Sequence, residues 1–341
     1  MFGKRLINTG GEVAIPYFNT VTYTGNGSTQ SISGVGFQPD MVWVKSRSAA
    51  TSHKLTDVVR GATKGLIVNS DVPETTDANG LTAFGSDGFT LGSDSVYNNS
   101  GATYVAWCFK ANGAAVTNTD GSITSEVSAN VDAGFSIVSY TGNGSDATIG
   151  TGLNEVPDVV ITRGRANIAL YNGWAFYHKD LTFNYHLYLD STQAAINGNG
   201  NYFRSGSFTS SVFAVGGDIY GPNVNGTTMV AYCFSEKAGF SKFGSYTGNG
   251  SATGPTVTTG FEPAFVMIKR TDVAAPWVII DNKRSPSNPR QLILLPDVSD
   301  AELNVGNAIN FNSTDFQLTD VNYTRNASGA TYIYMAFANQ F

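Results

Sequence analysis

One six-residue phrase, Tyr-Thr-Gly-Asn-Gly-Ser, occurs three times in this chain. The copies begin at Tyr23, Tyr140 and Tyr246, so they are spaced by 117 and then 106 residues. That period is too long for a solenoid repeat and matches the size of a small domain. The sequence therefore predicts three homologous units, and any chemical feature of one unit must be compared with its two counterparts.

The composition favours units built from short strands. Of 341 residues, 38 are glycine, 13% are charged and 12% are aromatic. This mixture is typical of strands joined by tight turns, and it is poor in the residues that form long helices. Counting strand-like segments gives about six to eight per unit. We predict an all-β chain of three tandem β-sandwich or jelly-roll-like domains, preceded by a short N-terminal arm.

The repeat also sets the predicted boundaries. The predicted segments are an arm (1–16), a first unit (17–113), a linker (114–132), a second unit (133–237) and a third unit (238–341). The linker is rich in Thr, Ser, Asn and Asp, which indicates either a loose connection or an extended crossing strand. Only Glu236 to Gly239 separates the second unit from the third. We therefore expect these two units to move as one body and the first unit to be set apart.

The repeated phrase follows an alternating, strand-like stretch in each unit. Its Asn-Gly pair supplies the positive φ angles that a two-residue hairpin turn requires, so we predict a hairpin at the start of each unit. A phosphate-binding loop is excluded, because the third glycine and the following amphipathic helix of such loops are missing.

A continuous apolar strand follows a proline in each unit and ends in a cation, namely Lys45, Arg163 or Lys269. Apolar residues at every position predict a strand covered on both faces, with the terminal charge in solvent. The last strand of two units carries a cysteine, Cys108 or Cys233, where the third has Ala336. We predict two free, buried thiols in a protein made in a reducing compartment.

No constellation of catalytic or metal-binding residues stands out. The histidines lack metal-ligand spacing, although His53 and His178 each precede a lysine and therefore look equivalent. Neither a nucleophile elbow nor a pair of glycosidase carboxylates is recognisable. Asp297 to Glu302 is acidic but lacks the pattern of a calcium loop. We predict no enzymatic activity, no cofactor and no metal.

Charge and hydropathy exclude two classes of partner. The net charge is −6 and no basic stripe exists, so nucleic acid is not expected to bind. Membrane insertion is not expected, since no segment approaches the roughly 18 apolar residues of a membrane span. No export signal is recognised at the start of the sequence.

Aromatic residues in the segment that varies between units are candidate glycan contacts. They are Trp174, Tyr177, His178 and Trp277. Sugar rings stack on such side chains, while nearby polar groups bind the hydroxyls. The alternative is that the tryptophans fill the cores, as we expect for Trp43 and Trp107.

Several segments together resemble the repeat domains of virion structural proteins from marine tailed bacteriophages. The resemblance rests on Tyr140 to Ser145, Pro157 to Arg163, Trp174 to Lys179 and Ala231 to Ser251. It covers nearly the whole chain, most strongly from Ala133 onward, and the first unit departs from it by lacking the Trp-x-x-Tyr-His-Lys form. Met1 to Gly11 also resembles an N-terminal segment that precedes several different domains in such proteins.

The resemblance implies a non-enzymatic protein of the virion surface, made in the host bacterial cytoplasm. A tail fibre or tail adhesin that contacts host surface polysaccharide is the first expectation. A head decoration or cement protein is the alternative; a polysaccharide depolymerase or a free lectin is more distant. We expect a homo-oligomer in the particle. The arm has no core of its own, so Phe2, Lys4, Arg5 and Leu6 are predicted to dock on other virion proteins.

Overall fold

The chain folds almost entirely into antiparallel strands, in a computed structural model that describes residues 16–166, 173–217 and 221–339. The all-β prediction is confirmed. Within these residues, helical structure is limited to short turns. They are α1 (Ser95–Asn98) and two 3₁₀ turns, Ser205–Ser207 and Gly221–Asn223.

The three predicted units are seen as three sets of strands. Repeat 1 contains β1 (Phe18–Thr24), β2 (Gln30–Ser33), β3 (Met41–Ser46), β4 (Lys54–Asp57), β5 (Lys64–Ile67), β6 (Thr75–Thr76), β7 (Leu81–Gly85), β8 (Gly88–Leu91) and β9 (Thr103–Phe109). Repeat 2 contains β10 (Val116–Asn118), β11 (Ser125–Asn130), β12 (Phe135–Thr141), β13 (Ala147–Gly150), β14 (Val159–Gly164), β15 (Ala175–His178), β16 (Tyr185–Tyr188), β17 (Ile196–Asn197), β18 (Val212–Val215) and β19 (Thr228–Phe234). Repeat 3 contains β20 (Ser241–Thr247), β21 (Thr256–Thr258), β22 (Phe265–Arg270), β23 (Val278–Asp281), β24 (Arg290–Ile293), β25 (Leu303–Phe311), β26 (Asp315–Leu318) and β27 (Thr331–Phe337).

Each repeat has a large sheet and a smaller or equal second sheet. The orders are β1-β9-β3-β4-β5-β6 with β2-β8-β7, then β10-β11-β12-β19-β14-β15-β16-β17 with β13-β18, and finally β20-β27-β22-β23 with β21-β26-β25-β24. In every large sheet the last strand of the repeat lies between the strand that precedes the repeated phrase and the strand that follows the proline. The three units therefore share one topology, which extends the sequence repeat to the fold.

The segment 114–132, predicted as a linker, instead extends the large sheet of repeat 2. Strand β11 pairs with β12, placing Val127 opposite Val138, and β10 pairs with β11 at the edge. Val127 is buried while its neighbour Glu126 is exposed. The interpretation as a loose connection is wrong, and the alternative of an extended strand is nearer to the structure, because edge strands with one solvated face have the polar composition of a linker.

Both faces of the post-proline strand and of the last strand are covered in each large sheet, as the continuous apolar runs predicted. In β9, Tyr104, Ala106 and Cys108 face the second sheet of repeat 1, whereas Val105, Trp107 and Phe109 point the opposite way. Strand β19 alternates similarly, and Cys233 faces the second sheet of repeat 2. The two cysteines are free and lie in different cores, so the prediction of two buried, unpaired thiols is confirmed.

The faces that point away from the second sheets meet in a single core. Phe109, Phe234 and Phe337 are equivalent final residues of the three last strands, and their ring centroids lie 5.9, 5.2 and 5.8 Å apart pairwise. One cluster of buried residues contains side chains from all three repeats. The repeats thus form a closed ring around a pseudo-threefold axis. The expectation that the first unit is set apart is wrong.

We expect an isolated fragment of residues 17–113 not to fold cooperatively, although it has the length of a domain. Outside the ring, its buried Trp43, Trp107 and Phe109 would face water, and large apolar side chains each contribute about 1.5–3 kcal/mol on burial. Circular dichroism and chemical-shift dispersion of the fragment, with the full chain as control, test this. A sharp two-state unfolding transition of the fragment would show that each repeat is self-sufficient.

Candidate functional site

The repeated phrase is a crossing between sheets. The strand before its first copy, β1, pairs with β9, whereas the strand after it, β2, pairs with β8 in the second sheet. The other two copies separate β12 from β13 and β20 from β21 in the same manner. The hairpin prediction is wrong because the Asn-Gly pair turns the chain without pairing its flanking strands.

A buried asparagine holds each copy of the phrase. In repeat 1 the Asn98 side chain accepts a hydrogen bond from the Asn26 backbone N–H at 2.9 Å and donates to the Ser28 carbonyl. Asn223 and Asn326 make the same contacts in the other repeats. A Cβ atom at Gly25 would lie 2.3 Å from the Asn99 carbonyl oxygen, and Gly27 has a φ of +70°. The phrase recurs because the crossing requires these residues.

The cations at the strand ends are buried, so the prediction that they reach solvent is wrong. Lys45 donates to the Ser299 carbonyl of repeat 3 at 3.2 Å. Lys269 donates to the Thr192 carbonyl of repeat 2 at 3.0 Å. Arg163 donates to carbonyls of repeat 1, including that of Ile67 at 2.9 Å. Burial lowers the pKa of both lysines to about 8, and carbonyl oxygens replace their water.

The predicted glycan contacts Trp174 and Trp277 are buried and also join repeats. The Trp174 indole N–H donates to the Ile67 carbonyl at 2.8 Å, and the Trp277 indole N–H donates to the Tyr188 carbonyl at 2.9 Å. His53 occupies the equivalent position in repeat 1, and its Nε2 lies 3.1 Å from the Leu295 carbonyl oxygen. Neither Trp174 nor Trp277 is exposed to a sugar, so this part of the glycan prediction is wrong.

His178 is also buried, and as the last residue of β15 it corresponds to Asp57 and Asp281, the last residues of β4 and β23. Its Nδ1 accepts from the Asp180 backbone N–H, so Nε2 carries the proton and donates to the Tyr334 carbonyl at 3.2 Å. Burial lowers its pKa to about 4. The equivalence of His53 with His178 is therefore wrong, because the lysine after each histidine is a coincidence of spacing.

Tyr177 is half-buried and packs against two phenylalanines of its own repeat. Its ring centroid lies 5.7 Å from that of Phe203 and 4.7 Å from that of Phe208. Burial raises its pKa to about 12. Tyr177 thus packs on the second core of repeat 2, whereas Trp174 and Trp277 belong to the shared core, so these side chains do not form one aromatic platform. The predicted arm residues Phe2, Lys4, Arg5 and Leu6 lie outside the described residues.

A buried ionic network joins repeat 2 to repeat 1. Asp57 accepts hydrogen bonds from the Tyr232 hydroxyl at 2.6 Å and from Arg60 Nε at 2.5 Å. Arg60 also bonds Glu74 at 2.9 Å, and Glu74 receives two bonds from Arg165 at 3.0 and 2.8 Å. The backbone is linked as well, since the Glu74 N–H donates to the Arg165 carbonyl.

The junction between repeats 1 and 3 contains the same network. Asp281 accepts from the Trp107 indole N–H at 3.0 Å and from Arg284 Nε at 2.6 Å. Arg284 bonds Glu302 at 3.1 Å, and Glu302 pairs with Arg47 at 2.8 Å. The Glu302 N–H donates to the Arg47 carbonyl at 2.9 Å, which matches the backbone link of the first network.

The junction between repeats 2 and 3 keeps the backbone link but lacks these charges. The Ala195 N–H donates to the Thr271 carbonyl at 2.9 Å. By this bond Ala195 is equivalent to Glu74 and Glu302, and Thr271 is equivalent to Arg165 and Arg47. Leu181 takes the place of Arg60 and Arg284, three residues after His178. The network positions are therefore uncharged here, and only in that sense do we call this the neutral junction, since Glu236 and Lys242 form an ion pair across it at 2.9 Å.

A groove of about 560 Å³ lies at this neutral junction. We call it the junction groove and define it by six of its lining residues, Asp180, Tyr185, Ala195, Tyr246, Thr271 and Asp272. The Tyr246 ring stacks on that of Tyr332 at a centroid distance of 5.0 Å, and Asp272 pairs with Arg270 at 2.8 Å. The small side chains of Ala195 and Thr271 leave space where the other junctions hold a glutamate–arginine pair.

The acidic segment Asp297 to Glu302 is also structural. Asp297 accepts a hydrogen bond from the Trp277 backbone N–H at 3.0 Å, and Glu302 is paired with Arg47 and Arg284. In the described ranges, no three His, Cys, Asp or Glu side chains are grouped so that they could hold a metal ion. No helix in those ranges has the length and apolar character needed to cross a membrane.

The family model described as Domain of unknown function (DUF7483) matches residues 14–340. The chain belongs to the DUF7483 family. A search of curated proteins finds no match. The DUF7483 match spans all three repeats as one unit, which agrees with the single core they share.

Sequence reasoning missed the residues that distinguish the junctions of this DUF7483 chain, although a signal was present. An Asp-x-x-Arg pattern occurs at Asp57 to Arg60 and again at Asp281 to Arg284, whereas repeat 2 has His178 and Leu181 at these positions. Aligning the repeats on the ends of β4, β15 and β23 would have revealed the neutral junction. The lysines after His53 and His178 instead favoured an incorrect alignment.

Asp57→Ala should destabilise the chain by about 3–5 kcal/mol, because it leaves the buried Arg60 guanidinium without its closest carboxylate. Urea unfolding of the full chain measures this change. Asp146→Ala is the matched control: it removes a carboxylate from an exposed pair with Arg204 and should cost at most about 1 kcal/mol. Equal effects of the two variants would contradict a structural role for the buried network.

His186→Phe should make the chain more resistant to acid. His186 is buried, and neither ring nitrogen has a hydrogen-bond partner in the described part of the chain. Burial lowers its pKa to about 4, against about 6.5 in an unfolded chain. Between these pH values the unfolded state binds the proton more readily, so acidification favours unfolding.

The variant should therefore gain stability over the wild type as the pH falls from about 6.5 to 4, by up to about 1.4 kcal/mol per pH unit. The phenyl ring preserves the stacking on Tyr202, whose centroid lies 3.9 Å away. Urea unfolding at several pH values measures the difference. Parallel pH profiles for the two proteins would show that His186 titrates normally in the folded state.

Proposed function

We propose that this chain is a non-enzymatic structural protein on the surface of a bacteriophage virion, acting as a tail fibre or tail adhesin component. The observation that carries the proposal is the closed ring of three repeats, in which the buried charged groups serve as links between repeats. Lys45, Arg163 and Lys269 each bond to carbonyls of a neighbouring repeat. A chain built in this way is suited to holding its shape under load.

The pseudo-threefold ring also suits assembly with a symmetric partner. A single chain that presents three similar units around one axis has the geometry to sit on a trimeric component. Further support comes from the resemblance of its segments to virion repeat proteins. The surface loops are rich in Gly, Asn, Ser and Thr, which can bond polysaccharide hydroxyls.

Antibodies raised against the full chain should label the tail of intact particles, and the purified protein should reduce adsorption of the phage to its host. Both are measured directly, by electron microscopy of labelled particles and by counting unadsorbed phage. Albumin at the same concentration controls for nonspecific inhibition. Labelling of the head without any effect on adsorption would favour a decoration protein, and absence of the chain from particles would refute a virion role.

A further inference from the structure

We infer that the junction groove is a binding site for a neutral oligosaccharide. This inference deepens the proposed adhesin function and rests on it only for the expectation that the ligand is a glycan of the host surface. It places the glycan site at the junction of repeats 2 and 3, away from the buried Trp174 and Trp277.

The groove arises from a coordinated change of side chains while the repeats remain joined. The backbone bond from Ala195 to Thr271 is kept, and Lys269 still donates to the Thr192 carbonyl across the same junction. At the equivalent places, Glu74 and Arg165 fill the space with two parallel hydrogen bonds. Replacement of a glutamate and an arginine by alanine and threonine therefore opens space without loosening the ring.

The lining of the groove has the chemistry of a sugar site. Tyr185 is half-buried and lines the groove, so its phenol can pack against the C–H face of a sugar ring. Tyr246 also lines the groove, but its ring stacks on Tyr332 and its hydroxyl donates to the Arg325 carbonyl at 2.7 Å, so it shapes the wall rather than offering a free face. Exposed hydroxyl groups surround them at Ser245, Thr247 and Thr331. The volume of about 560 Å³ falls within the range of about 300–1,000 Å³ typical of small-molecule sites.

The charge of the lining determines which glycans fit. Asp180 and Asp272 contribute carboxylates, and the described residues that line the groove include no Lys, Arg or His. Asp272 is already paired with Arg270, whereas Asp180 is exposed and its carboxylate has no hydrogen-bond donor in the described part of the chain. Acidic sugars would be repelled, while a carboxylate readily accepts hydrogen bonds from the hydroxyls of a neutral sugar.

The decisive variant restores the missing pair. Ala195→Glu combined with Thr271→Arg should recreate the glutamate–arginine contact of the other junctions and fill the groove without removing any apolar side chain. The matched control, Glu74→Ala combined with Arg165→Thr, makes the opposite change at the junction between repeats 1 and 2. Tyr185→Ala removes an aromatic face of the groove and leaves its volume open.

The full-length proteins are tested on an array of neutral and acidic bacterial oligosaccharides, after circular dichroism has confirmed that each is folded. The wild type and the Glu74/Arg165 control should bind the same neutral glycans. The filled-groove variant and Tyr185→Ala should lose at least tenfold in affinity for them. If the filled-groove variant does not fold, the test rests on the glycan affinity of Tyr185→Ala. Tyr177→Ala, which changes a tyrosine outside the groove, is then its control.

Three results would overturn the inference: no array glycan bound by the wild type, binding of acidic glycans only, or unchanged binding by Tyr185→Ala. Each of these results is independent of the antibody labelling that tests the virion role. Antibody labelling of the tail with no glycan bound would leave the virion role standing and remove the site. If the chain is absent from particles but binds a glycan through the groove, the site stands and the virion role is refuted.

Discussion

The apolar contact among Phe109, Phe234 and Phe337 is the constraint on which the rest of the structure depends. Each ring is at the end of the last strand of its repeat, and each touches the other two. Because the three sheets bury one face against each other, none of them has a complete core alone. The repeats resemble domains in length and topology, yet the hydrophobic driving force for folding acts on the ring as a whole.

Apolar contact has little directional preference, so the polar links determine how the repeats are arranged. Each repeat directs a buried cation and a ring N–H to carbonyls of the preceding repeat, cyclically from 2 to 1, 3 to 2 and 1 to 3. Burying a charge costs several kcal/mol unless its bonds are satisfied, and these carbonyls are in place only in one arrangement. The links therefore favour a single closed ring over other packings of the same sheets.

The repeat spacing and the strand patterns were sufficient to predict the all-β class, the three units and the free thiols. The ring was not predictable from them, because an inward-facing residue such as Trp107 has the same pattern whether it packs within its own repeat or against another. The prediction that Lys45 and Lys269 reach solvent was wrong for a related reason. A cation at a strand end is usually solvated, and the carbonyl partners that allow burial here come from the neighbouring repeat. The junction groove depends on contacts between distant segments, such as Ala195 with Thr271.

The two ionic junctions and the neutral one show how a repeated fold can separate stability from function. The shared core, the buried cations and the backbone links occur at all three junctions, so ring closure does not require the charged network. Once closure is secured in this way, the positions of the network are free to vary at one junction. Leu181, Ala195 and Thr271 occupy these positions between repeats 2 and 3, and the space they leave is accessible from solvent. A groove formed in this way needs no new element of structure, because the two strands that border it are already fixed by the ring.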